Sequence, residues 1–160
     1  MREQLEKDVL EFAERTLSIK RVAKTTKGGK QMRLLVCSAV GDLQSRVGIG
    51  LGKSAEVVTG VRKAQEQAKK NMVEVKHRGT TIPHIVTGKC GGARILIRPA
   101  SPGTGIIACD TVRNILELGG IRDALTKSFG SSNADNLAKA TMDALSKLRT
   151  REEVFKLRGI

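Results

Sequence analysis

The stretch Gly48–Ser54, "GIGLGKS", is where this chain comes closest to nucleotide chemistry. It ends in Gly-Lys-Ser and precedes a helical pattern, as a phosphate-cradling loop does. The spacing is wrong for that loop. Four residues must separate its glycines, whereas only three lie between Gly48 and Gly52 and the required position is Val47. No apolar strand ending in Asp follows to hold magnesium. What survives is a simpler chemistry, in which Lys53 and the helix N-terminus behind it hold a phosphate. The competing reading is mechanical: alternate glycines let the strand approach a neighbour closely.

Two other loops carry similar signals. "GSSNADNLAKA" (Gly130–Ala140) could bind phosphate at a helix start, but capping by Ser132 or Asn133 explains it more simply. "PASPGTGII" places Gly103 and Gly105 around Thr104, which suits a ligand loop or a stiff contact surface. His77 and His84 form no triad or metal-ligand spacing with Cys37, Cys90 and Cys109. The cysteines, odd in number and without framework spacing, read as small buried hydrophobes in a reducing compartment. The expectation is therefore no enzyme, no metal, no cofactor and no small-molecule substrate.

The cations are the stronger signal. Formal net charge is +13 over 160 residues, with a pI near 10.2. Self-repulsion at that charge calls for a polyanion, either nucleic acid or an anionic membrane surface. No apolar run approaches the roughly 18 residues of a spanning helix. "MREQLEKDVLEF" lacks the apolar region of a signal peptide. From Arg15 to Gly41 there is no acid at all, while Lys20, Arg21, Lys24, Lys27, Lys30 and Arg33 surround Gly28-Gly29. Arg46, Lys53, Arg62, Lys63, Lys69 and Lys70 follow. Phosphates reward such clusters by releasing counterions. The only aromatics are Phe12, Phe129 and Phe155, which argues against base stacking and for recognition of structured RNA by shape.

The elements that present these groups follow from periodicity. A short helix is expected over 2–13. Strands are expected over Thr16–Ala23, Met32–Val40 and "RVGIGLG", joined by a Gly-Gly hairpin tip and a "GDLQS" turn. A helix then begins after Ser54, its expected cap. Glu56 sits at its positive end, and Val57, Val58, Val61, Ala64, Ala68 and Met72 form one apolar stripe. "KHRGTTIPH" reads as a linker. Beyond it come strands at His84–Lys89 and Ala93–Arg98, then a helix capped by Asp110 and stopped at Gly119. "IRDALTKSFG" reads as a strand. A final helix buries Leu137, Ala140, Thr141, Ala144, Leu145 and Leu148, and a tail helix starts with a Thr150/Glu153 capping box. The class is α+β, in three parts. Residues 1–78 form a three-stranded antiparallel sheet with a helix, like a double-stranded-RNA-binding domain. Residues 79–148 form a small α/β sandwich, and 149–160 a tail.

"RVAKTTKGGK" (21–30), "VGIGLGKSAEV" (47–57), "RKAQEQAKKNM" (62–72), "GTTIPH" (79–84), "RPASPGTGIIA" (98–108) and "LTKSFGSSNADN" (125–136) together resemble the small-subunit ribosomal protein S-five family of bacterial and organellar type. The resemblance covers roughly residues 14–148. It implies a structural constituent of the small ribosomal subunit that binds 16S-type rRNA. The hairpin carrying Val22, Ala23, Lys24, Lys27, Gly28, Gly29 and Lys30 would reach toward the hinge between head and body. Gly103, Thr104, Gly105 and Arg113 would meet ribosomal protein S-four, an interface tied to decoding accuracy. Ribosomal protein S-eight and mRNA, in the channel by which it enters, would be further partners. The location implied is the small subunit in the cytoplasm, an organellar ribosome fitting as well. The chain departs from the family pattern at Met32 and Leu34, at "DLQS", at Ala108-Cys109-Asp110 and at Ala134. Two rivals are a free duplex-RNA-binding regulator, which would bind unrelated duplexes, and a phosphate-using enzyme, which would bind nucleotide.

Overall fold

β1 (Ala13–Thr26) and β2 (Gly29–Gly41) form a long antiparallel hairpin in the computed structural model, which describes residues 12–159. The helix expected over 2–13 lies outside the described residues except at its end, where Ala13 already opens β1. The hairpin turns at Lys27-Gly28. Gly29 takes a φ of 127°, and the Thr26 hydroxyl donates to its carbonyl at 2.8 Å. Only glycine enters that region at little cost.

A second turn leads into β3 (Arg46–Ser54). The sequence has Leu43 where a glycine would be easier, and Leu43 sits at φ 57°. Asp42 makes this turn possible: its Oδ1 accepts the N–H groups of Gln44 (3.0 Å), Ser45 (2.8 Å) and Arg46 (2.7 Å). The first sheet has four strands, not three. Met72–Glu74 adds β4 against β3, giving the order β1-β2-β3-β4.

α1 (Val57–Lys70) lies across one face of this sheet. A Cβ added at Gly48, Gly50 or Gly52 would come within 2.2, 2.0 or 2.1 Å of the carbonyl oxygens of Ala68, Ala64 and Gly60. The alternate glycines are therefore there for helix–strand contact. This closeness corrects the expected apolar stripe. Only Gly60, Ala64 and Ala68 are buried, whereas Val57 and Val58 are 41% and 80% exposed and Met72 belongs to β4. The expected cap is also corrected. Ser54 ends β3 and its hydroxyl donates to the Glu56 carbonyl, while Glu56 takes the cap position with no side-chain bond.

The second sheet holds β5 (Val86–Cys90), β6 (Ala93–Pro99), β7 (Ile106–Ile107) and β8 (Ala124–Gly130), in the order β5-β6-β8-β7. β7 was not expected; it pairs parallel to β8. α2 (Asp110–Leu118) begins after Cys109, not Asp110, as its cap and stops at Gly119. α3 (Ala134–Ser146) is capped by Asn133, whose side chain accepts from the Asp135 N–H. α4 (Arg151–Arg158) carries the expected Thr150/Glu153 capping box. α2 and α3 contact both sheets. One buried cluster accordingly joins Cys37, Ala39 and Val47 of the first sheet to Ile95 and Ile97 of the second through Ile115, Leu116, Leu118 and Ala140. The class is α+β, as expected. Among the cysteines only Cys37 is fully buried; Cys90 is half-buried and Cys109 is exposed at a helix cap, contrary to the reading of all three as core residues.

Candidate nucleic-acid interface

Strand alternation distributes the hairpin cations over two faces. The pairs Lys20↔Leu35, Val22↔Arg33 and Lys24↔Gln31 share one face. Arg21↔Leu34, Ala23↔Met32 and Thr25↔Lys30 share the face that carries α1. Lys27 stands at the tip. Lys53 falls on the first of these faces, where it joins Val22, Lys24, Gln31 and Arg33 around an open hollow of about 170 Å³. It therefore lies across the sheet from α1, and the phosphate site expected from Lys53 plus that helix N-terminus is not assembled. The reason is the period of two: Gly52 faces the helix, so Lys53 cannot.

The local absence of acids does not leave every cation bare. Lys20 reaches Asp135 at 2.8 Å and also bonds Asn133, at the start of α3. Arg46 pairs with Asp42 (3.2 Å), Arg62 with Glu66 (3.1 Å) and Lys69 with Glu14 (2.9 Å). Arg21, Lys24, Lys27, Lys30, Arg33, Lys53, Lys63 and Lys70 have no acid partner within ion-pair distance among the described residues. Most of them belong to the hairpin and its hollow. The side chains of Lys20, Asp135 and Asn133 crowd the start of α3, which supports capping over phosphate binding for "GSSNADN".

Thr104, Gly105 and Arg113 come together in an open groove of about 680 Å³ that also touches Leu43 and Glu117. Gly103 and Gly105 adopt φ values of 88° and 75°. Asp123 holds this loop. It is 4% exposed, and its carboxylate accepts from Gly105 N–H at 2.8 Å. The Thr80 hydroxyl first, then the N–H groups of Gly105, Gly103 and Thr104, hold its carboxyl below the usual range. No sequence pattern singled out Asp123, because its role depends on a loop that folds back from 18 residues away.

His84 behaves as a structural residue. Its Nε2 accepts the Arg149 N–H at 3.1 Å, so the proton sits on Nδ1, 2.9 Å from the Ile85 carbonyl. No cluster of three or more potential metal ligands occurs among the described residues. No described helix is long and apolar enough to cross a membrane. Outside the hairpin, Lys89, Arg94, Arg98 and Lys127 lie exposed on the second sheet. The alternation of "KCGGARILIR" and "LTKSF" places these cations on one face of the strands.

Two family models match the chain, in order. Residues 12–76 match "Ribosomal protein S5, N-terminal domain" and residues 88–158 match "Ribosomal protein S5, C-terminal domain". They account for most of its length and for both sheets. The chain belongs to the ribosomal protein S5 family, and is thereby a structural, rRNA-binding component of the small ribosomal subunit that works in translation.

Proposed function

We propose that this chain anchors 16S-type rRNA mainly through the β1–β2 hairpin and the hollow beside it. The observation that carries the reading is the set Arg21, Lys24, Lys27, Lys30, Arg33 and Lys53, which has no acid partner among the described residues and surrounds a two-residue tip. Phosphate then supplies the missing counter-charge. Gly28 and Gly29 let the tip approach a backbone closely. Arg46, Arg62 and Lys69 share their charge with acids and contribute less, and Lys20 serves first to dock the hairpin on α3. Lys63 and Lys70 extend the basic surface along α1.

In this reading the Gly103–Thr104–Gly105 loop and Arg113 form the contact with ribosomal protein S-four, and through it influence decoding accuracy. Their shared groove and the Asp123 clamp support a stiff docking surface. Ribosomal protein S-eight and mRNA near its channel of entrance are further partners. Residues 1–78, 79–148 and 149–160 act as RNA-binding unit, protein-docking unit and tail, and the chain works within the small subunit of a cytoplasmic or an organellar ribosome. No catalytic step is assigned.

The test is the triple variant Lys24→Ala/Lys27→Ala/Lys30→Ala, titrated against 16S-type rRNA over a range of salt. Each duplex phosphate neutralised contributes about 0.9 to the log–log salt slope. The variant should bind more weakly, with a slope shallower by about 2 to 3. Lys20→Ala should leave the slope nearly unchanged. An unaltered slope in the triple variant would mean that the hairpin is merely solvated.

A further inference from the structure

The outer face of the second sheet has a composition that packing does not explain. Along β5, β6 and β8 the residues alternate between the buried side, with Ile95, Ile97 and Ala124, and an open side. On the open side Lys89, Arg94 and Phe129 stand in one cross-strand row. Leu96 and Lys127 pair in the next, and Arg98, Leu125 and Ile107 share the third. None of the four cations has an acid partner among the described residues. Asp143, which accepts the Lys89 backbone N–H, pairs with the Lys147 ammonium. Lys89 and Arg94 are directly opposite, and like charges so placed destabilise a strand pair. Phe129 is 46% exposed at the end of the Lys89–Arg94 row, one of only three aromatics in the chain.

We propose that this open sheet face is a second RNA-binding surface, which takes a single-stranded segment by stacking a base on Phe129 and seating phosphates against Lys89, Arg94, Arg98 and Lys127. It rests on the reading of the chain as an RNA binder but uses a different element and a different mode. A flat sheet cannot enter a helical groove as the protruding hairpin can. It can receive unstacked bases, whose faces pair with an aromatic ring while cations track the backbone. Ile107 and Leu125 adjoin, but every row of this face also carries one or two cations that have no acid partner among the described residues. That favours a polyanion with planar faces over an apolar protein surface.

The full-length chain should be titrated with a fluorescein-labelled oligouridylate of about 12 nucleotides, within the usual site sizes of such surfaces. Arg94→Ala/Lys127→Ala and, separately, Phe129→Leu should each weaken binding about tenfold. Both sites are exposed, and Phe129→Leu keeps an apolar side chain, so thermal melts should match the parent. The hairpin variant Lys24→Ala/Lys27→Ala/Lys30→Ala should keep its oligouridylate affinity while losing affinity for structured rRNA, which separates the two surfaces. Equal oligouridylate affinity in parent and sheet-face variants would overturn the proposal, whatever the hairpin does. So would insensitivity to Phe129→Leu combined with displacement by polyglutamate, which would mark an acidic-protein contact instead. Photo-crosslinking in intact small subunits loaded with mRNA, followed by sequencing of the attached RNA, assigns the strand to rRNA or to mRNA. Recovery of crosslinks from neither at this face would also overturn it.

Discussion

Asp42 lets a leucine occupy a position that favours glycine. Burial alone would push its carboxyl up, but the N–H groups of Arg46, Ser45 and Gln44 and the Arg46 side chain outweigh that and hold it below the usual range. A lowered folded value makes the stabilisation fully present above the ordinary carboxylate value. It fades as pH falls through the folded one. Asp42→Ala leaves three N–H groups without their partner and should cost about 1–3 kcal/mol at neutral pH, read by urea unfolding. The difference between variant and parent should shrink in acid. Asp123 follows the same sign. Acidification through its folded value should release the Gly103–Gly105 loop, seen as faster relative exchange of the Gly105 amide once intrinsic rates are corrected. Asp123→Asn should show that looser loop already at neutral pH. Cysteine chemistry separates by burial: the Cys37 thiol is pushed up to about 11, first by burial and then by the charge of Asp135. Mild alkylation near neutral pH should therefore modify exposed Cys109 well before Cys37, which reacts on unfolding. If Cys37 is labelled first in the folded chain, this assignment of the core is wrong.

Elements differ in how visible they were beforehand. The β1–β2 hairpin and α3 were legible because turn chemistry and a 3.6-residue period are written over a few neighbouring residues. β4 and β7 were not, because strands of three and two residues have no period of their own and exist only by pairing with β3 and β8. The buried face of α1 differs from the expected stripe for a related reason. Valines are usually the buried residues of such a helix, but the glycines of β3 bring this backbone so near that only Gly60, Ala64 and Ala68 fit beneath it. Gly50→Ala should accordingly destabilise by about 1–3 kcal/mol or more, since the added methyl meets the Ala64 carbonyl and not a flexible side chain. Val58→Ala, on the exposed side, should be nearly neutral, and thermal melts of the two variants check the contrast.

At the scale of the whole molecule, two sheets share one core through α2 and α3. Ion pairs reinforce this arrangement, with Arg15–Glu117 and Lys20–Asp135 joining residues 102 and 115 apart in sequence. The described body should unfold in one cooperative transition. Leu118→Ala, at a fully buried position of that core, should cost about 2–5 kcal/mol and lower the melting of probes in both sheets together. Separate transitions for the two sheets would contradict a shared core. By itself the sequence determined the charge, the hairpin, the order of the main elements and the family, because these reside in local composition, spacing and motif order. Tertiary structure decided which cations lack a partner, which face Lys53 and Arg94 occupy, and what Asp123 holds. Those outcomes depend on acids, carbonyls and loops brought from distant parts of the chain, and on a strand period in which each neighbour faces the opposite way.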